Sequence, residues 1–564
     1  MINLLKSCNQ LIHSIFNKIS GIKVLILDRE TIHQISLVFS QSELLKREVF
    51  LTELIDISNR SNLPHFFGIY FIRPNKENIS ILCNEIKKPL FKEYYVYFTN
   101  NISPQILQKI ALSDENDVIK RIQEVKIDFN AISCDLFSLS MNYFASMYKL
   151  PSCWTTYEET LFSRMIEGIY SASLQLGEIP IIRYLANSPL CRNIAFAVER
   201  RLLDSNLIDL VSGEFVNSGS EIYEDKRNEN NILLIFDRRE DPVTPLLTQW
   251  TYHAMIHELL DIKHNRLCLD SGGLSNKENE EFVLSEQYDD FFKDHKYDNF
   301  GDIGFSIRNL VNDHNESSKV NQRLETIDDI SRFVQIYPDF KKEYNNIYKH
   351  VNILHELSRI VQERGLMRIS ALEQDLTVCD NVDEHSKQVG NLLSDTGISQ
   401  FDKLRLALLY SLKYEKEEIQ INNFKYHLGA RASFIDKLLE VFGEDFRSGD
   451  LFLNKTLLNI AKNTINKSNN NNIYIQHKTL LYSVLENLVK GKLKNSRFPS
   501  TTDDYNSSKK PLKIMVFVVG GVTLEESRDA NVIKNLYDVD VILGGTNLLN
   551  SKSFIKDLEL LINS

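Results

Sequence analysis

A chain of 564 residues with 43% hydrophobic and 10% aromatic side chains holds enough apolar material for several packed domains, and its composition excludes a disordered chain. Its formal charge of −11 argues against nonspecific nucleic-acid binding, which needs a basic footprint. Seven cysteines without a CxxC pair fit reduced thiols in a cytosolic protein rather than a disulfide framework. No stretch approaches the ~18 apolar residues of a membrane span, and the amino terminus lacks the continuous apolar core of a signal peptide. Work at membranes is therefore expected to pass through partners.

Residues 1–20 read as a short helix, followed by a first buried strand from Lys23 to Asp28. A helix is expected over Thr31 to Phe39, then strands at Val49 to Leu54, Phe66 to Ile72 and Tyr94 to Phe98. Ser103-Pro104 supplies a cap followed by a first-turn proline, and Asp114 is expected to cap a further helix carrying Ile119 and Ile122. Strands alternating with helices over ~130 residues argue for an open α/β sheet. Cys134 to Leu139 reads as a last strand or a linker. Helical patterns follow at Thr156 to Leu176 and Pro189 to Leu210, and 212–230 reads as a loop.

The stretch from Asn231 to Ile262 opens with the apolar run Ile232 to Phe236, typical of a strand buried on both faces in a parallel sheet. It ends in the charged turn Asp237, Arg238, Arg239, Glu240 and Asp241, then Pro242. From Pro245 an amphipathic helix with Trp250 on its apolar side is expected, capped by Thr244. Residues 263–281 read as irregular, with a turn at Gly272-Gly273. Beyond them almost everything to Lys490 has helical period, with further stripes at 401–413, 432–442, 451–462 and 478–489. Phe340, Tyr344, Ile347, Val351, Leu354, Leu357 and Val361 trace one stripe. Pro338 interrupts the pattern from Ile330 to Val361, as a hinge or as a plain helix boundary at Tyr337. Ser468 to Asn472 is a low-complexity run, and 493–510 reads as a polar linker.

From Lys513 the chain returns to α/β, with strands at Ile514 to Val519 and Val539 to Leu543, each followed by a Gly-Gly turn and a helix. This piece is too small to bury a sheet alone. Its strands need 232–236 as a partner, which implies a discontinuous domain interrupted by the helical block 264–490.

A search for chemistry finds no enzyme. His257-Glu258 and His355-Glu356 open like HExxH, but Asp261 and Arg359 stand where the second histidine is required. The glycine pairs at 520–521 and 544–545 fit no phosphate-loop pattern, and there is no GxSxG elbow. No cofactor or metal is implied. The charged turn after the central strand is favoured as a structural corner over a catalytic one.

The central run DRREDPVTPLLTQWTYHAMIHELL resembles the signature of the SM family, the Sec-one/Munc-eighteen-like proteins that bind SNAREs during membrane fusion. KVLILDRETIHQISLVFSQSELLKREVFLTELID, the stretch EYYVYFTNNISPQILQKIALSDENDVIKRIQEVKIDFNAISCDLFSL, and the closing VFVVGGVTLEESRDA and ILGGTNLLNSKSFIKDLE extend the resemblance over essentially the whole chain. It implies an α/β plus α fold, a three-domain arch with two open, mainly parallel α/β sheets and a large inserted helical domain. The boundaries would be 1–133, then 134–237 with 491–564, then 238–490. It implies binding of a syntaxin-like SNARE and of the assembled SNARE complex, with no nucleic acid and membrane contact only through SNAREs. Such a protein would be a cytoplasmic monomer recruited to Golgi and endosomal membranes, or would serve another trafficking step. By the resemblance, Leu107, Ile119 and Glu124, with Ile122 beside them, line a pocket for the syntaxin amino-terminal peptide. Pro338 matches the hinge of a SNARE-templating hairpin near 310–362. Asp237, Arg238, Asp241, Pro242 and Trp250 belong to the structural signature. An α/β enzyme using the charged corner and a tethering scaffold remain the rival readings.

Overall fold

The computed structural model describes the backbone of residues 2–563 except 59, 142–143, 150, 205–226, 270–279, 322–326, 448–473 and 503–508; side chains at 144–145, 227, 313–321, 327–340 and 342 are also outside the described set. Two compact units emerge. One comprises 1–237, 486–522 and 533–547; the other comprises 238–485, 523–532 and 548–564.

In the first unit, helix α1 (Leu4–Asn17) precedes a five-stranded sheet. Its strands are β1 (Lys23–Leu27), β2 (Val49–Leu54), β3 (Leu63–Ile72), β4 (Phe91–Phe98) and β5 (Ile119–Glu124), in the order β2-β1-β3-β4-β5. All four pairings are parallel. Helices α2 (Thr31–Val38), α3 (Gln41–Lys46), α4 (Lys76–Ile86) and α5 (Pro104–Ser113) form the connections. β1 is wholly buried between β2 and β3, which is why Val24 to Leu27 are a continuous apolar run rather than an alternating one. Ser103 caps α5 as its sequence suggests, accepting from the Ile106 amide.

Asp114 is the C-cap of α5 and starts no further helix. Its carboxylate accepts from the Val118 and Ile119 amides at 2.9 and 3.1 Å and turns the chain into β5, so Ile119 and Ile122 lie on an edge strand. Their three-residue spacing imitates a helix because β5 carries a bulge: Tyr94 pairs with Ile119, Tyr95 with Arg121 and Val96 with Ile122. The extra residue keeps both isoleucines on the same face.

A six-stranded sheet has the order β6-β7-β14-β12-β9-β8. Its early strands are β6 (Asn130–Ala131), β7 (Leu136–Ser138), β8 (Ile179–Tyr184) and β9 (Arg227–Asp237), with helices α6 (Thr156–Ser173) and α7 (Pro189–Asp204) among them. The chain later makes a hairpin of β10 (Arg266–Leu269) and β11 (Glu280–Val283), and returns through β12 (Lys513–Val519), β13 (Val522–Thr523) and β14 (Asp540–Gly545). β9 lies between β8 and β12, parallel to both, so the carboxyl-terminal strands do complete the sheet around 232–236. The sheet starts at Asn130, and Arg227 to Asn230 already belong to β9 rather than to a loop.

One strand missed in the sequence and two failed expectations have physical reasons. β8 escapes the sequence reading because Pro180 and Arg183 interrupt its apolar run. The buried Arg183 guanidinium donates to the Phe498 carbonyl at 2.7 Å and to Asn495 Oδ1 at 2.9 Å. Residues 493–501 are therefore no loose linker: Tyr184 donates to the Pro499 carbonyl and Thr501 to that of Ile182, covering the edge of β8. Gly544 and Gly545 form no turn. They end β14, where a Cβ on Gly544 would meet the Phe137 ring at 2.1 Å and one on Gly545 the Val522 amide nitrogen at 2.8 Å. Gly520 and Gly521, at φ +95° and +100°, do make the turn that glycine favours.

The second unit is mostly helical: α8 (Tyr252–Leu260), α9 (Asp290–His295), α10 (Phe300–Asn321), α11 (Ile327–Glu363), α12 (Leu366–Val378), α13 (Val382–Ser394), α14 (Gln400–Lys413), α15 (Glu418–Leu428) and α16 (Ser433–Phe442). The remaining helices are α17 (Leu480–Val489), α18 (Leu524–Tyr537) and α19 (Ser551–Asn563). α8 begins seven residues after Pro245, because Thr244–Leu246 closes a single 3-10 turn and Leu247 is extended. The core joins Trp250, Tyr252, Met255 and Ile256 to Ile353, Leu357 and Val361 of α11. Tyr344 (55% exposed) and Val351 (39%) leave the expected stripe, whose buried side runs instead through His350, Ile353, Leu357 and Val361. The stretches 212–226, 451–462, Gly272-Gly273, Ser468–Asn472 and the Phe340 side chain lie outside the described residues.

Candidate functional site

The charged corner after β9 is closed upon itself. Asp237 accepts from the Ser188 hydroxyl at 2.5 Å. In the second unit Arg238, 1% exposed, donates to Glu526 at 2.6 Å and to the Asp241 carbonyl at 2.9 Å. Asp241 accepts from the amide and hydroxyl of Thr244 and the amide of Leu480. Burial alone would raise the Asp241 carboxyl, but Arg238, His477 and these donors hold it below its ordinary value. Pro242 is buried beside it. Trp250, 5% exposed, donates through Nε1 to the Ser370 hydroxyl at 2.6 Å and packs on Tyr474 and Phe300.

The first unit shows the same economy. The order β2-β1-β3-β4-β5 has its topological switch point between β1 and β3, where doubly wound folds bind ligands. There Asp28 accepts from the Arg73 amide and from Asn78, at 2.6 and 2.8 Å. Arg73 in turn reaches Glu30 and Asp128, and Arg164 reaches Asp128 at 3.0 Å. The protein's own ions occupy the crevice.

An apolar surface remains at the free edge of β5. Ile106 and Ile110 of α5 face the core, while Leu107, one residue round the helix, is 44% exposed. Ile119 and Ile122 are half-buried on the same side of the sheet as that core. Glu124, expected to line the pocket, is engaged within the chain: it accepts from the Ile102 amide at 2.8 Å and from Lys126 at 2.6 Å. The bulge and the charged Lys120 and Arg121 disfavour strand addition along β5, so a ligand here would be read by side-chain pockets.

The hairpin region consists of α10 and α11, and α11 runs 37 residues without interruption through Pro338. A helix boundary at Tyr337 is thereby ruled out. Tyr344, Tyr348 and Val351 of α11 and Phe305 of α10 are exposed. No described helix is long and apolar enough to cross a membrane, and among the described residues no His/Cys/Asp/Glu cluster is placed to hold a metal.

A model of the Sec1 family matches residues 23–557. This chain belongs to the Sec1 family. It is 38% identical to the vacuolar protein sorting-associated protein 45 homolog of Arabidopsis thaliana, over 99% of this chain and 97% of that relative. The human vacuolar protein sorting-associated protein 45 is 36% identical, over 95% and 92%. Among solved structures, the SM protein Vps45 in complex with the Qa SNARE Tlg2 has a TM-score of 0.86 at 32% identity, covering 100% of this chain and 98% of that one. The Unc18–syntaxin 1 complex from Monosiga brevicollis, at 19% identity and a TM-score of 0.80, shares the fold.

The Sec1-family match takes in both sheets and the helical block, so the α/β plus α reading stands. Sequence reasoning passed over two groups that shape these surfaces. One is Lys126, which neutralises Glu124 from two residues away; the Glu-x-Lys spacing was the available signal. The other is Arg405, wholly buried against Glu373 and Thr248 and interrupting the apolar run Leu404 to Leu409 of α14, where a charge marks a buried partner.

Proposed function

We propose that this chain is an SM-type regulator of SNARE assembly, which binds a syntaxin-like SNARE and promotes vesicle docking and fusion in Golgi, endosome and vacuole traffic. The observation that carries this reading is the full-length likeness to proteins named Vps45, one of them solved with the Qa SNARE Tlg2. The chain acts as a binding protein and not as an enzyme, because Asp237, Arg238 and Asp241 are committed to internal bonds. It needs no cofactor. It works as a monomer, recruited peripherally to Golgi and endosomal membranes through SNAREs.

In this reading residues 1–133 form the syntaxin-binding domain, 134–237 with 491–564 the second domain, and 238–490 the third. Leu107, Ile119 and Ile122 receive the anchor of a syntaxin amino-terminal peptide, with Glu124 beneath the rim. α10 and α11 template SNARE pairing, and Pro338 is the hinge between bent and extended forms. The uninterrupted α11 is what an extended form requires. The test is a pull-down with recombinant syntaxin cytoplasmic regions, followed by sizing of the product. A direct 1:1 complex with one of them is expected; retention of none, or capture only within larger assemblies, would favour the tethering scaffold.

A further inference from the structure

We infer that the groove between α12 and α13 docks an extended peptide presenting a basic, an aliphatic and an acidic residue at alternate positions. The groove has a volume of about 430 Å³, within the usual range for ligand sites. Arg368, Leu372 and Asp375 line it from α12, Asn391 and Leu392 from α13, and Gln476 from the segment before α17. It shares no residue with the surface at β5 or with the α10–α11 hairpin.

The lining is arranged by chemistry along the groove. Leu372 and Leu392, each 5% exposed, form an apolar floor that suits one aliphatic side chain. Asp375 closes one end, 3.1 Å from the buried His385, and keeps an exposed side. Arg368 closes the other, 63% exposed and 2.8 Å from Asp395. These two ends lie seven residues apart on one face of α12, about 10 Å along its axis. An extended peptide advances roughly 3.3 Å per residue and turns alternate side chains to one face. Residues i, i+2 and i+4 therefore reach Asp375, the floor and Arg368, with the long charged side chains leaning inward.

Main-chain recognition has its partners too. The carboxamides of Asn391 and Gln476 hold no hydrogen bond among the described residues, and each offers both a donor and an acceptor to a peptide group. Gln476 is itself held in place, its amide donating to Gln374 Oε1 at 2.9 Å. Opposite charges at the two ends disfavour a uniformly acidic or basic segment, and the apolar floor disfavours a small polar metabolite.

The test uses the full chain and two fluorescein-labelled heptapeptides, Ser-Arg-Ser-Leu-Ser-Glu-Ser and the same peptide with Lys for Glu, read by fluorescence anisotropy. Wild type should prefer the Glu peptide by about tenfold, one decade of affinity. Arg368→Glu, at an exposed position, should reverse that preference, and Asn391→Ala should weaken both peptides while thermal melting stays unchanged. Absence of binding at about 1 mM, or the same preference in wild type and Arg368→Glu, would overturn the proposal. Self-association of the chain abolished by Arg368→Glu, with no peptide bound, would assign the groove to a second copy and overturn it equally.

Discussion

Leu107 and Trp250 are both large apolar residues on helical stretches of sequence, yet one is 44% exposed and the other 5%. Their substitutions should therefore separate function from stability. Leu107→Arg would place a charge where a peptide anchor is proposed to enter, at a cost of about 2–4 kcal/mol of binding. That is roughly a 30- to 1,000-fold loss by calorimetry against a cognate syntaxin amino-terminal peptide, with an unchanged circular dichroism spectrum. Trp250→Arg would drive an unpaired charge into the packed interior and orphan the Ser370 hydroxyl. Its melting temperature should fall well below that of wild type, and a wild-type melt would disprove the burial argument.

Glu525 gives a prediction with a sign. It shares Arg528 with Asp529, and burial pushes its carboxyl up to about 7 from an ordinary 4.5. The folded chain keeps this proton up to about pH 7, whereas the unfolded chain releases it near 4.5. The group's contribution is fully present below pH 4.5 and is lost as pH rises through about 7. Above that window the buried charge costs on the order of 3 kcal/mol. Glu525→Gln should raise the melting temperature at pH 8 and leave it nearly unchanged at pH 4.5; equal effects at both would contradict the assignment.

At the scale of elements, α11 poses the sharpest question. Proline inside a helix forfeits a hydrogen bond and costs about 3 kcal/mol, yet α11 continues through Pro338. A helix carrying that cost is poised to bend. Pro338→Ala should favour the extended hairpin, slow hydrogen exchange on both sides of residue 338, and speed SNARE assembly in a reconstituted reaction. Unchanged exchange and unchanged kinetics would remove the hinge. The edge strand β5 shows why elements are harder to read than residues: its isoleucines are spaced for a helix, and the bulge against β4 reproduces that spacing on a strand.

The whole molecule depends on its carboxyl-terminal return. β12 and β14 sit between β9 and β7, so removing them leaves two buried strands with unpaired backbone groups on one side. A chain ending at residue 510 should be insoluble or lack a cooperative melt, although it retains every residue of the α5–β5 surface. A soluble truncation that melts sharply would show that the first sheet and the helical block suffice.

Local chemistry was enough to read much of this chain. Continuous apolar runs such as Val24 to Leu27 and Ile232 to Phe236 announce parallel strands, because burial on both faces leaves no polar alternation. The cap and proline at Ser103-Pro104 announce α5, and the motifs from Asp237 to Leu260 announce the family. Tertiary structure decided the rest. Whether Ile119 lies on a helix or a bulged strand depends on its register with Tyr94, and whether Gly544 turns the chain or admits the Phe137 ring depends on β7. β8 and the 493–501 segment were hidden because the buried Arg183 finds acceptors at Leu493, Asn495 and Phe498, more than 300 residues away. Sequence periodicity records what a residue buries, but a bulge, a close approach or a distant acceptor exists only once another part of the chain is in place.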